Sequence, residues 1–218
     1  MIGIEERIQD DANSYQLNRD KMFRELRVAI PGIIQSVNYE AQTVEVQCAI
    51  REKMIMNRNV GHIEIPLLLD VPFFYPTGGG YMVTMPINVG DECLVIFADM
   101  CIDAWWQSGG IQNQVERRRH DLSDGFAIVG FHSQPKRISG YSGNSVQIRT
   151  ESGANFIELQ GGTVNIVADV NISGNLTVSS NTTVNGNHTV DGNLSAGGIN
   201  MNNHTHRGDS GGSTGGPR

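Results

Sequence analysis

Two histidines separated by one threonine, His204-Thr205-His206, have the spacing of a metal-binding pair. On an extended chain both imidazoles point to the same side. Imidazole suits Zn, Cu, Fe and Ni, yet two from one chain make a poor site. Placed on a threefold axis, the pair becomes six nitrogens around one point. Six-coordination disfavours Zn, which prefers four ligands. The expected occupant is an iron ion, one per trimer, with nickel second. The plain alternative is a pair of exposed tail histidines, and the sequence leading up to them weighs against it.

That sequence is a repeat. From Val170 the chain runs VNISGN, LTVSSN, TTVNGN, HTVDGN, LSAGGI, five blocks of six residues. Block position three holds Ile172, Val178, Val184, Val190 and Ala196, and position six holds Asn175, Asn181, Asn187 and Asn193. Positions one and three share a side of a strand. Gly174, Gly186, Gly192 and Gly198 at position five, with Ser180 the exception, are expected to bend the strand through a turn or a positive φ. Short strands and bends at a fixed period predict a β-helix. Five blocks cannot bury a core alone, whereas three chains wound on one axis pair every strand edge, so a homotrimer is predicted.

Weaker apolar pulses continue the pattern upstream: Val146 and Ile148, then Phe156, Ile157 and Leu159, then Val164, Ile166 and Val167. If residues 145 to 203 all wind this way, the shaft is on the order of 45 Å long, at about one strand spacing per block. His188, at block position one, would point into that shaft as a packed or water-bonded imidazole rather than a second metal site. The six sequons at Asn171, Asn175, Asn181, Asn187, Asn193 and Asn203 follow from block composition. After His206 the coda RGDSGGSTGGPR cannot make a core; it is either an ordered wrap around a tip or disordered. Its protease-like GDSGG lacks His and Asp partners upstream, and its RGD is a chance tripeptide.

The formal net charge of −7 argues against a general nucleic-acid binder. Cys48, Cys93 and Cys101 form no CxxC pair and suggest buried thiols made in a reducing compartment. No apolar run reaches transmembrane length, and the N-terminus does not read as a secretory signal. The expectation is a soluble product assembled in a cytoplasm.

Residues 4 to 28 read as a helix with an interrupted stripe of Ile4, Ile8, Tyr15, Met22, Phe23 and Leu26. Strand-like segments follow. Ile30 to Asn38 and Gln42 to Arg51 form a hairpin; Glu64 to Phe74, Tyr81 to Met85, Glu92 to Ala98 and Phe126 to Phe131 come after it. Five or six strands in about a hundred residues predict a small Greek-key barrel of the OB type, with an SH3-like barrel reading similarly. Trp105 and Trp106 near Arg117, Arg118 and Arg119 could bind single-stranded nucleic acid. Packing of at least one indole, and a solvated or inter-chain arginine network, is the preferred reading.

Two stretches, GDECLVIFADMCIDAWWQSGG and RRRHDLSDGFAIVGFHSQP, resemble the OB domain of contractile-tail baseplate spikes. The shared features are Gly90-Asp91, the strand Leu94 to Phe97, Ile102-Asp103 with Trp105, and Arg119-His120-Asp121 with Ser123-Asp124. Pro72, Gly78-Gly79-Gly80 and Tyr81 look similar too, as do the repeat, the His-x-His and the Gly-rich coda. The resemblance covers roughly residues 28 to 218. It implies an all-β protein with an N-terminal helix: a helical segment at 1–27, an OB-fold domain at 28–138, an intertwined trimeric β-helix shaft at 139–200 and a metal-binding apex at 201–218. It further implies a homotrimeric, non-enzymatic, membrane-piercing spike of a bacteriophage baseplate, resident in the virion. The OB end would dock on a tail hub or tube protein, the tip would meet the bacterial outer membrane, and His204 and His206 would hold the iron. No segment has room for the paired carboxylates of a lysozyme. The rival readings are a hexapeptide-repeat acyltransferase, disfavoured by two inward positions per block, a receptor-binding tail fibre, and a single-stranded-DNA-binding OB protein.

Overall fold

The computed structural model describes residues 4–56, 59–208, 210–213 and 215. Two compact units divide between Asn165 and Ile166. The first begins with α1 (Ile4–Glu25), as the sequence predicts. The side chains of Ile4 and Ile8, part of the proposed stripe, lie outside the described ones. Those from Asn13 to Phe23 are all exposed.

A curled sheet follows. β1 (Ala29–Asn38) and β2 (Thr43–Cys48) form the expected hairpin, with Val44, Val46 and Cys48 turned inward. Asn38 holds the turn by accepting the Glu40 and Ala41 amides at its side-chain oxygen. β3 (Glu52–Met56) and β4 (Asn59–Ile63) make a separate hairpin that strand patterning did not single out. β5 (Leu68–Pro72) is shorter than predicted, because Pro66 and Pro72 limit how much backbone can join a ladder. The predicted strand at Tyr81 to Met85 is corrected. Only Tyr81–Met82 (β7) is extended, pairing with Thr77–Gly78 (β6) across Gly79 and Gly80 at φ 59° and 84°. Two successive positive-φ residues form the tight hairpin turn that matches strand twist. β8 (Glu92–Phe97) and β9 (Gly125–Val129) complete the sheet.

Strand order is β5-β2-β1-β8-β9, all neighbours antiparallel. The sheet curls until its outer strands touch, at a parallel bridge between Phe73 and Ala127 and a hydrogen bond from the Phe74 amide to the Ala127 carbonyl. Ile34, Val44, Val46, Val95 and Ala127 fill the concave side. Packing there is tight enough to require glycine: a Cβ on Gly32 would lie 2.3 Å from Val46 Cγ1. After the short 3₁₀ turn at Gln134–Lys136 come β10 (Val146–Arg149), β11 (Phe156–Gln160) and β12 (Thr163–Val167), in that order in a small sheet.

The second unit is of a different kind. Among the described residues no strand is assigned from 168 to 194, yet the backbone bends at 173–174, 179–180, 185–186 and 191–192. These are positions four and five of each block, so the six-residue period of the sequence is a six-residue period of the backbone. Of the two expected routes, the bends at Gly174, Gly186 and Gly192 come without positive φ, which explains why Ser180 serves equally well. The last block departs from its predecessors: β13 (Ser195–Ala196) and β14 (Ile199–Asn200) form a hairpin over Gly197 and Gly198, at φ 58° and 82°.

Candidate functional site

The sequence offered one expected site, His204 and His206, and one cluster read as packing and ion pairs, around Trp105 and Arg118. In the barrel, α2 (Asp103–Ser108) follows β8, and a loop returns through Arg117, Arg118 and Arg119 to β9. Arg118 is the hub. Its Nε donates to Asp124 Oδ2 at 2.8 Å and its Nη2 to Asp124 Oδ1 at 3.1 Å, while Nη2 also reaches Asp103 Oδ1 at 2.7 Å and Nη1 reaches Glu116 at 2.9 Å. Asp124 is 0% exposed and also accepts the Ile102 amide at 2.9 Å. A paired guanidinium satisfies a buried carboxylate in this geometry. Hydrogen bonding from Arg118 holds the Asp103 carboxyl below its ordinary range, and the two aspartates in turn raise the Arg118 pKa.

Cys101, Asp103 and Asp124 place ligand atoms within 4.8 Å of one another. The Arg118 cation already occupies both carboxylates, so the cluster is a structural clamp rather than a metal site. Of the arginine run, Arg118 thus makes its ion pairs within the chain. Arg119 pairs with Asp99 at 2.8 Å, and Arg117 is exposed. His120, at φ 48°, donates its amide to the Ala98 carbonyl and sets Nε2 3.4 Å from Asp99. Trp105 packs edge-on to Phe126 at 5.8 Å, but neither it nor Trp106 is buried in the single chain. Burial pushes the Cys93 thiol up to about 11 and raises Cys48, so both are poor nucleophiles.

Residues 30–130 match the family model of the phage protein Gp138 N-terminal domain. The matched segment takes in the curled sheet and every member of the Arg118 clamp, and it supports a phage structural protein. No curated protein matches the chain. No helix among the described residues is long and apolar enough to cross a membrane.

At the chain's end the two predicted metal ligands are neighbours. The His204 and His206 rings lie 4.9 Å apart between centroids, at 84° to one another. They do not sit on a strand: a turn at 201–203 precedes them. That turn sets His204 Nδ1 3.1 Å from the Met201 carbonyl oxygen. With Nδ1–H donating there, Nε2 carries the lone pair, the arrangement that ligating histidines use. Nothing in the sequence pattern pointed to the Met201 carbonyl. The coda is an ordered turn where described, with Arg207 bridged to Ser213 and the Gly208 amide bonded to the Gly212 carbonyl. Asp209 and residues 216–218 lie outside the described residues.

Upstream of the pair, the block-position-three aliphatics Ile172, Val178, Val184 and Val190 are 40–53% exposed. From 170 to 203 the only formally charged residue is Asp191. His188 is exposed in the single chain.

Proposed function

We propose that this chain is the homotrimeric, membrane-piercing central spike of a contractile phage tail, a structural protein of the virion with no enzymatic role. The observation that carries the proposal is the six-residue bend period bearing an exposed aliphatic stripe. Three copies wound on one axis would dry that stripe and hydrogen-bond a backbone that one chain leaves unladdered. The sheet order and the β5–β9 bridge support the OB reading of the barrel, and the phage-protein match supports the setting.

The work would come from sheath contraction, and the spike would concentrate it on a small area of outer membrane. Load is borne by inter-chain β pairing along the shaft. The barrel end would bind the tail hub or tube protein. At the tip, His204 and His206 of three copies would supply six neutral imidazoles to one iron ion. The donor set fits such an ion: the rings are adjacent, and His204 Nδ1 is engaged by a carbonyl so that Nε2 remains for ligation. The metal supplies cross-linking of three chain ends and no reaction.

Light scattering of the purified protein should give three times the chain mass, and metal analysis should give one iron per trimer. His204→Ala combined with His206→Ala should lose the iron and keep the trimer. Iron unchanged in that variant would remove the site assignment, and a well-folded monomer would remove the spike.

A further inference from the structure

Three adjacent strands of the barrel, β1, β8 and β9, are apolar on both sides over their paired rungs from Ala29 to Pro31. Val95 stands between Ile30 and Ala127 on one rung and turns into the core. The alternate rungs turn away from it. Ile96 there lies between Ala29 and Phe126, and Leu94 between Pro31 and Ile128. The outward face of an antiparallel sheet is normally polar when it meets water. β2 keeps that rule with Glu45 and Gln47, so the exception is confined to β1, β8 and β9. Strands that are apolar on both sides are covered on both sides.

The face has two unlike ends. At one, Trp105 continues the row from Phe126, and Trp106 lies 6.3 Å beyond it; the indoles are 46% and 40% exposed. At the other, Pro31 and Ile33 run into a cavity of about 360 Å³ that Ile50 and Phe131 help to line. Ile50 is 57% and Phe131 51% exposed. The single acid at this end, Glu92, binds the Ser133 amide and hydroxyl and lies 4.0 Å from the Lys136 ammonium. The face is therefore neutral on a chain of net charge −7.

We infer that this face is a second inter-chain interface, by which the barrels of neighbouring copies pack against one another. The inference rests on the trimer proposed above. Charge is costly to bury at an interface, and this neutral apolar face spares a chain of net charge −7 that cost. A cyclic trimer closes through heterologous contacts, in which two different patches meet. A projecting indole pair and a concave cavity on one face meet that requirement.

The chain's two tryptophans both sit at one end of this face, so their fluorescence reports on it directly. The experiment is acrylamide quenching of the full-length protein, with the mass taken by light scattering on the same sample. The wild-type trimer should resist quenching severalfold better than free tryptophan. Leu94→Glu combined with Ile128→Glu should restore quenching while the shaft keeps the trimer mass. A wild-type trimer quenched as readily as free tryptophan overturns the inference without any variant and leaves the spike reading intact. If Met22→Glu with Phe23→Glu raises quenching as much as the sheet variant does, the chain's own α1 is the cover and the inference fails. A monomeric wild type instead overturns the trimer on which it rests.

Discussion

The barrel and the shaft solve the burial problem in opposite ways. The first buries its own core: its sheet curls, its outer strands touch at Phe73 and Ala127, and its buried Asp124 carboxylate is met by Arg118. The shaft buries nothing. Its aliphatic stripe is exposed from Val170 to Leu194, and no strand is assigned there. Apolar residues kept at a strict period but left in water are a specification for assembly, because burial is what such a pattern stabilises. A single chain thus pairs a sheet that buries its own core with a repeat whose described residues stay exposed.

The sharpest way to break this contrast is to charge the stripe. Val178→Asp with Val184→Asp should abolish the trimer outright, seen as loss of the trimer mass by light scattering, while far-ultraviolet circular dichroism still reports the folded sheet. A trimer that survives both charges would show that the stripe does not face other copies. On the barrel side, Arg118→Met leaves Asp124 buried without its counter-ion, and breaking such a pair costs about 3–5 kcal/mol. Urea denaturation should show that loss in the barrel transition and leave shaft assembly unaffected.

Gly32→Ala forces a Cβ against Val46 on the neighbouring strand β2. Overpacking of this kind costs about 1–3 kcal/mol, which the same urea transition would measure. A smaller effect should follow acidification. Hydrogen bonds from Ser133 lower the Glu92 pKa, and those from Arg118 lower that of Asp103. A carboxyl depressed in the folded state stabilises it above its unfolded pKa and loses that stabilisation as pH falls through the folded value. Barrel stability should therefore be level near neutrality and decline below the ordinary carboxylate range, in a pH series of thermal melts. With iron held at His204 and His206 as proposed, chelation should have the smallest consequence: faster proteolysis near residue 204, with the barrel melt unchanged.

Much of this was legible before any coordinates. Alternation in Val44, Val46 and Cys48 and the run Leu94 to Phe97 placed the central strands, because burial on the concave side enforces a period of two. The bend period of the shaft followed from the blocks. What escaped the reading was local geometry set by long-range partners. The β3–β4 hairpin has little apolar alternation to announce it. The Arg118 clamp joins residues from 103 to 124, and spacing alone does not say which of three successive arginines turns inward. Tyr81 to Met85 misled because its aliphatic residues resemble a strand, whereas the preceding Gly79-Gly80 imposes a two-residue turn. The histidine pair was visible as a pair, but the Met201 carbonyl that orients one ring depends on a turn that residue types do not encode.

Because the bends at Gly174, Gly186 and Gly192 need no left-handed backbone, each block is an interchangeable unit, and the repeat behaves as a ruler graded in steps of six. Adding or removing a whole block changes reach and nothing else. Losing one residue would turn the rest of the shaft inside out, since a single-residue slip exchanges the two sides of every strand beyond it.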